Sequence, residues 1–183
     1  MAIRRPVARR SLDRRLYHLI NGIPHSRRSD LYVSIISDLG EGAGWVVAGL
    51  WLAALDGRRG RRAAVASSAA ALTATRIAQD VLKPIFRRNR PFIERVATVV
   101  GDQRLDPSFP SGHTAASFAA ATALSAFYPR ARPLLFLTAS GVGVSRIHLG
   151  HHFASDVVVG AVIGLAIGLF SAGLAGAGDS TGP

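Results

Sequence analysis

The stretch SRIHLGHHFASDVVVGAVIGLAIGLFSAGLAG, residues 145–176, changes character at Asp156. Its first twelve residues hold one arginine, three histidines and one aspartate, whereas nothing from Val157 to Gly176 carries a charge. An apolar run of that length matches the hydrocarbon thickness of a bilayer. It predicts a membrane-spanning helix over residues 156–176, with a polar, histidine-rich approach at its start.

Working outward, the remaining chain has the same apolar bias. Hydrophobic residues make up 49% of 183 residues, there are 19 glycines, and the mean hydropathy is +0.26. Those values are too apolar for an ordinary soluble domain of this size. Further spans are predicted at 31–55, 63–82, 112–128 and 133–149, of which the last two are short and rich in small or polar residues. The expected fold is all-α, a polytopic transmembrane bundle of about five helices. Connections 56–62 and 128–133 are short, so their flanking helices should be antiparallel neighbours. Residues 1–30 read as a basic segment with an amphipathic helix lying at the membrane interface, residues 31–176 as one embedded domain, and 177–183 as a frayed tail. Leu16 to Pro24, interrupted by His18, Asn21 and Gly22, lacks the features of a signal peptide.

Charge supports a lipid rather than a nucleic-acid setting. Twenty-two Lys and Arg against 11 acids give a net charge of +11. Much of it flanks apolar spans, in RRPVARR, GRRGRR and KPIFRRNR, where anionic membrane lipids are the natural partners. No aromatic platform for single-stranded nucleic acid is interleaved with it. With no cysteine, disulfides, thiolate metal sites and a cysteine nucleophile are excluded.

Polar residues concentrate in two connections, 83–113 and 145–156, separated by an even number of further crossings, so both should emerge on one face. Together they read Lys83-x6-Arg90-Pro91, then Pro110-Ser111-Gly112-His113, then Ser145-Arg146-x5-His152-x3-Asp156. These three motifs in this order resemble the type 2 phosphatidic acid phosphatase superfamily, which includes lipid phosphatases, bacterial acid phosphatases and vanadium haloperoxidases. The segment LDRRLYHLINGIPHSRRSDLYVSIISDLG is also similar to the start of the bacitracin-resistance type of undecaprenyl diphosphate phosphatase. That subgroup begins with a comparable short helix.

The residue types fit phosphoryl transfer on their own terms. A phosphoryl group in flight spreads negative charge over its equatorial oxygens, so the protein must supply fixed positive charge and donors. Lys83, Arg90 and Arg146 supply charge; the Ser111 hydroxyl and the Gly112 N–H, at the start of a predicted helix, are neutral donors. His152 and Asp156 have the i, i+4 spacing by which a carboxylate holds one imidazole nitrogen. The resemblance implies that His152 is the nucleophile, that Asp156 orients it, and that His113 serves as acid and base. It also implies that Lys83, Arg90, Ser111, Gly112 and Arg146 contact the phosphate. No metal-ligand set accompanies these residues, so neither metal nor cofactor is expected in the reaction.

Other polar residues receive plainer readings. His148 and His151 fall at unconstrained motif positions and are expected at the headgroup interface. Asp38, Glu41, Arg76 and Asp80 lie in or near the first two spans and are expected to form an internal ion-pair network. Gly160, Gly164 and Gly168 form a small-residue stripe suited to close packing within the bundle or to a homodimer.

The function expected is hydrolysis of a lipid monophosphate or diphosphate through a phosphohistidine. Undecaprenyl diphosphate is the first choice of substrate; phosphatidylglycerophosphate, phosphatidic acid and other polyprenyl phosphates stand as alternatives. A non-catalytic protein binding anionic lipids is the competing class, and aligned histidines count against it. The total arginine count places the site in the cytoplasm. GRRGRR and PRARP, in the shortest loops, place it on the outer face of the cell membrane, which is the expectation adopted.

Overall fold

The computed structural model describes residues 11–40, 42–91, 98–101 and 105–176. Glu41, Arg95, Gln103, Arg104, the first ten residues and the tail 177–183 lie outside them. Among the described residues every regular element is helical. The helices are α1 (Leu12–Asn21), α2 (Arg27–Leu39), α3 (Ala43–Leu55), α4 (Gly57–Arg76), α5 (Lys83–Phe86), α6 (Gly112–Phe127), α7 (Arg132–His148) and α8 (Ala154–Leu174).

Helix α6 is the hub, packing against α4, α7 and α8. Its sequence explains the position. Alanine, serine and threonine dominate it, and residues on all sides are buried, including Ala115, Ser117, Ala119, Thr122 and Leu124. Small side chains let neighbouring backbones close in without a bulky seam. Trp45 of α3 donates its indole N–H to Ser117 Oγ at 3.1 Å, and Ser171 of α8 donates to the Ala66 carbonyl at 2.8 Å. The glycine stripe belongs to the same packing. A Cβ at Gly160, Gly164 or Gly168 would lie 2.6, 2.4 or 2.5 Å from the carbonyls of Ser111, Ala115 and Ala119. These glycines face α6, so of the two readings of the stripe, close packing within the bundle is the one they serve.

Among the described residues, α8 is the one helix long and apolar enough to cross a bilayer unaided, and α2 with α3 pass the same test as a pair bent by 63°. The expected span 31–55 is thus a broken helix, beginning earlier, at Arg27. The span predicted at 63–82 is part of one longer rod, because α4 runs through a π-helical stretch, Ile77–Leu82, straight into α5. Such stretches shift the helical register, and they recur at functional sites. Here the shift falls immediately before Lys83. Leu12, Leu16, Leu19 and Ile23 face outward from α1 and its exit, while Tyr17 and Asn21 are buried against the bundle. The N-terminal helix is docked on α7 and α8.

Arg76 and Asp80 do not form an internal network. Their side chains are 81% and 57% exposed and pair with each other at 3.3 Å across one helical turn. Asp38 is exposed as well and borders a polar cavity, described below.

Candidate active site

The site lies where the C-terminal ends of α5 and α7 meet the N-terminal ends of α6 and α8. Ser111 caps α6, its Oγ accepting the Thr114 N–H at 3.4 Å. Ser111 Oγ also lies 2.9 Å from Thr114 Oγ1, and the first N–H groups of α6 are directed past the helix end. Asp156, third residue of α8, performs the equivalent task there: its Oδ2 accepts the Phe153 N–H at 2.9 Å. Ser111 N–H donates to the Asp156 carbonyl at 3.0 Å, which joins the two helix starts. At the end of α7 the Arg146 carbonyl accepts the N–H groups of His151 and His152, at 3.0 and 3.2 Å. The fold-back turns at Gly150, with φ +81°, where a Cβ would lie 2.4 Å from the Thr98 carbonyl. Glycine is required by both facts.

All eight sequence-predicted residues come to this end, and all are buried. Arg90, Asp156, His152 and Ser111 are at most 2% exposed; Lys83, Arg146 and His113 are at most 6%. His152 Nδ1 lies 3.5 Å from Asp156 Oδ2, at the outer edge of a direct contact. Burial pushes the His152 pKa well below its ordinary value, and Arg146, Arg90 and Lys83 push it further. The imidazole is consequently neutral, the form in which a nitrogen lone pair can attack. Arg146 also donates from Nη1 to Ser37 Oγ of α2 at 2.6 Å, which fixes its fork. A polar cavity of about 320 Å³ opens over Arg146, His151, Leu149, Ser34, Asp38, Val100 and Gly101.

Two partners were not anticipated from the sequence. Asp106 ion-pairs with Lys83 and with Arg90, the latter at 2.8 Å, and its own carbonyl accepts from Arg90 Nε at 2.8 Å. Burial raises its pKa, but the two cations outweigh that effect and the net shift is downward. A carboxylate therefore rests on two of the three expected phosphate-binding cations, and an anion reaching both must share them with it or replace it. The signal available was an acid in DPSFPSGH, four residues before Pro110.

The second is Arg88, inside the first motif. It donates to Asp156 Oδ1 at 2.7 Å, Ser155 Oγ at 2.6 Å and Asp13 Oδ2 at 2.5 Å, and its guanidinium lies 4.2 Å over the Phe153 ring. Asp13 in turn accepts the Ser155 N–H at 2.9 Å. A chain Asp13–Arg88–Asp156–His152 thus runs from α1 to the predicted nucleophile. Asp13 shares the charge of Arg88, which leaves Asp156 more of its own for the imidazole. Arg87 precedes this link with φ 45°, a left-handed arginine that ends α5 and turns the chain toward the site.

His148 and His151 are both only 6% exposed, so the interfacial reading is corrected. Each is tied to a backbone carbonyl: His151 Nε2 to Val100 at 3.1 Å and His148 Nδ1 to Ile20 at 3.3 Å.

A family model described as the PAP2 superfamily matches residues 64–176. The chain belongs to that superfamily. It is 30% identical to the putative undecaprenyl-diphosphatase YbjG of Escherichia coli strain K12, over 88% of this chain and 81% of that protein. It is 35% identical to a decaprenylphosphoryl-5-phosphoribose phosphatase of Mycobacterium tuberculosis, over 68% of each. It spans only 44% and 15% of two other curated relatives. Among solved structures, LpxE of Aquifex aeolicus is 29% identical, with a TM-score of 0.66 over 86% of this chain and 92% of that one. A transmembrane PAP2-type phosphatidylglycerolphosphate phosphatase from Bacillus subtilis shares the fold at 22% identity, with a TM-score of 0.67 over 88% of this chain and 83% of that one.

Proposed function

We propose that this chain is a multi-pass cell-membrane phosphatase that hydrolyses a lipid phosphate, with undecaprenyl diphosphate as substrate. The observation carrying this reading is the burial of three cations, two histidines and an aspartate around the joined starts of α6 and α8. A protein that only binds anionic headgroups has no use for a histidine held against a buried carboxylate. The likeness to YbjG over most of both chains favours the polyprenyl diphosphate. An apolar cavity of about 280 Å³ beside His148 and Ser145, lined by Ile20, Ile23, Val33, Ile36 and Val144, offers an adjacent path for an acyl or prenyl chain.

The mechanism follows from the residues. The terminal phosphate settles on Lys83, Arg90, Arg146, the Ser111 hydroxyl and the Gly112 N–H, displacing Asp106 from its cations. His152 Nε2 attacks phosphorus in line with the leaving oxygen, while Asp156 stabilises the charge that develops on the ring. His113 gives its proton to the leaving oxygen, so that the phosphorus–oxygen bond breaks as the phosphorus–nitrogen bond forms. In the second half His113 takes a proton from water, the hydroxide displaces His152, and inorganic phosphate leaves. Fixed cations do the work a metal would do elsewhere, so the chemistry is metal-independent.

The test is phosphate release by purified protein from undecaprenyl diphosphate, phosphatidylglycerophosphate and phosphatidic acid, compared by kcat/KM. Undecaprenyl diphosphate should lead the panel and initial rates should survive EDTA. A lead by phosphatidylglycerophosphate would reassign the substrate, and release from none would remove the enzyme reading. The outer-face placement is tested by single cysteines replacing Arg58, exposed at the start of α4, and Gln103. An impermeant reagent applied to intact cells should label only the one at Gln103.

A further inference from the structure

At the last residue of α7, three ligating groups meet outside the proposed catalytic set. His25, in the connection between α1 and α2, has Nδ1 2.9 Å from Asp30 Oδ1. His148 Nε2 lies 3.5 Å from the same oxygen. The candidate ligand atoms all fall within 4.8 Å of one another.

The outward nitrogens determine what faces inward. His25 Nε2 contacts the Asn21 carbonyl at 3.0 Å, and His148 Nδ1 contacts the Ile20 carbonyl at 3.3 Å. A carbonyl only accepts, so each of these nitrogens carries the proton. In the neutral rings His25 Nδ1 and His148 Nε2 then present lone pairs to a carboxylate. With both rings neutral, three lone-pair ligands converge there, the arrangement that a cation requires. His148 Nε2 has no hydrogen-bond partner, although its side chain is 92% buried by difference from its 8% exposure. Imidazoles that hold metal ions are oriented in this way, through a backbone carbonyl on the far nitrogen.

We propose that His25, Asp30 and His148 form a binding site for a zinc-class divalent cation, separate from the phosphate site. Two imidazoles and one carboxylate are the donor set of Zn²⁺ rather than of Mg²⁺ or Ca²⁺, which take oxygen. Ligands about 2.1 Å from a tetrahedral ion stand roughly 3.4 Å apart; the two separations here, 2.9 and 3.5 Å, bracket that spacing. Water completes the fourth position. The rings stack at 4.3 Å with 20° between their planes, so seating the ion takes a rotation of His25, whose side chain is the more exposed at 18%. The bound ion fastens the α1–α2 connection, the start of α2 and the last residue of α7. From that residue the loop carrying His151 and His152 departs. Its role is to hold the loop, and no step of phosphoryl transfer passes through it.

The experiment uses the full chain in detergent, stripped with a chelator and titrated with Zn²⁺ against a chromophoric competitor. One ion per chain should bind, and Zn²⁺ should raise the thermal midpoint. Asp30→Asn, His25→Ala and His148→Ala should each weaken binding by at least about 100-fold, while His18→Ala, on α1 outside the cluster, should not. Asp30→Asn keeps the side-chain shape, so a monodisperse variant with an unchanged metal-free midpoint excludes misfolding as the cause. X-ray absorption should show two imidazole nitrogens and a carboxylate oxygen at about 2.0–2.2 Å. Absence of binding, or equal affinity in Asp30→Asn and the parent, overturns the proposal and leaves the cluster as a protonated His25–Asp30 ion pair. Phosphate release by the stripped protein is scored separately, so the two readings fail independently.

Discussion

The bundle has a basic end on each side, and the two are built differently. At one, Arg58, Arg59, Arg61 and Arg62 rim a cavity of about 400 Å³ with Phe127 and Gly176. These arginines are exposed, and Arg59 serves local structure: it donates to the Phe127 carbonyl and lies 4.6 Å over the Tyr128 ring. At the other end Lys83, Arg90 and Arg146 are almost wholly buried and face Asp106, Ser37 and the loop that carries His151 and His152. The presence of clustered cations does not distinguish the ends. Burial does, because a cation withdrawn from water must be compensated by fixed partners, and those partners can be exchanged for a ligand. Exposed arginines keep their hydration and act as a screened surface field.

That contrast breaks most sharply at the proposed nucleophile. His152→Ala should lower turnover by about four orders of magnitude or more and abolish the acid-quenched phosphoenzyme, since no neighbour stands in line to replace it. Label persisting on the variant would move the nucleophile elsewhere. Asp156→Asn should come next, with a loss of roughly 10³-fold in kcat and little change in folding, because the imidazolium loses its counter-charge. Arg88→Gln should cost about tenfold in kcat, equivalent to ~1.4 kcal/mol of barrier, with KM unchanged. Asp13→Asn should cost less, and Arg88→Lys should restore only part, since one ammonium cannot span three acceptors. A KM effect as large as the kcat effect would mean that Arg88 binds substrate instead.

The pH profile sharpens the same comparison. His152 has its pKa depressed in the folded state by burial and by Arg146, Arg90 and Lys83. Its neutral form persists below the ordinary value of 6.5, so the single-turnover rate, corrected for substrate ionisation, should hold as pH falls through that point. The stability sign is opposite. The unfolded chain takes up a proton below 6.5 that the fold refuses, so the thermal midpoint should drop as pH falls below it, and His152→Asn should remove that part of the slope. The smallest effect belongs to the other end. Neutralising Arg58, Arg61 and Arg62 together should change kcat/KM by less than about twofold, while weakening attachment to anionic vesicles in a salt-dependent manner.

Gly164 and Asp106 show where legibility stopped. The spacing of Gly160, Gly164 and Gly168 announced a close contact, but only the packed bundle identified the α6 carbonyls as its other side. The acid in DPSFPSGH was visible, yet its placement on Lys83 and Arg90 closes a loop whose course no local pattern encodes. Arg76 and Asp80 erred in the opposite direction. Their place in an apolar stretch suggested burial, but the side of the rod on which they lie, Arg76 at the end of α4 and Asp80 in the π-helical stretch after it, is set by how the bundle packs.

The sequence alone determined the helical class and the chemical set: cations, a hydroxyl, two histidines and an aspartate in three motifs. These follow from local rules, since hydrocarbon thickness dictates the length of an apolar run and phosphate chemistry dictates residue types at short spacing. Tertiary structure alone decided the pairings. Asp13 meets Arg88 across 75 residues, Ser37 meets Arg146 across 109, and Asn21 donates to the His148 carbonyl across 127. Such contacts arise where helices cross, and the crossings are set by which small residues allow two backbones to approach. That is a property of the whole packed bundle rather than of any segment within it.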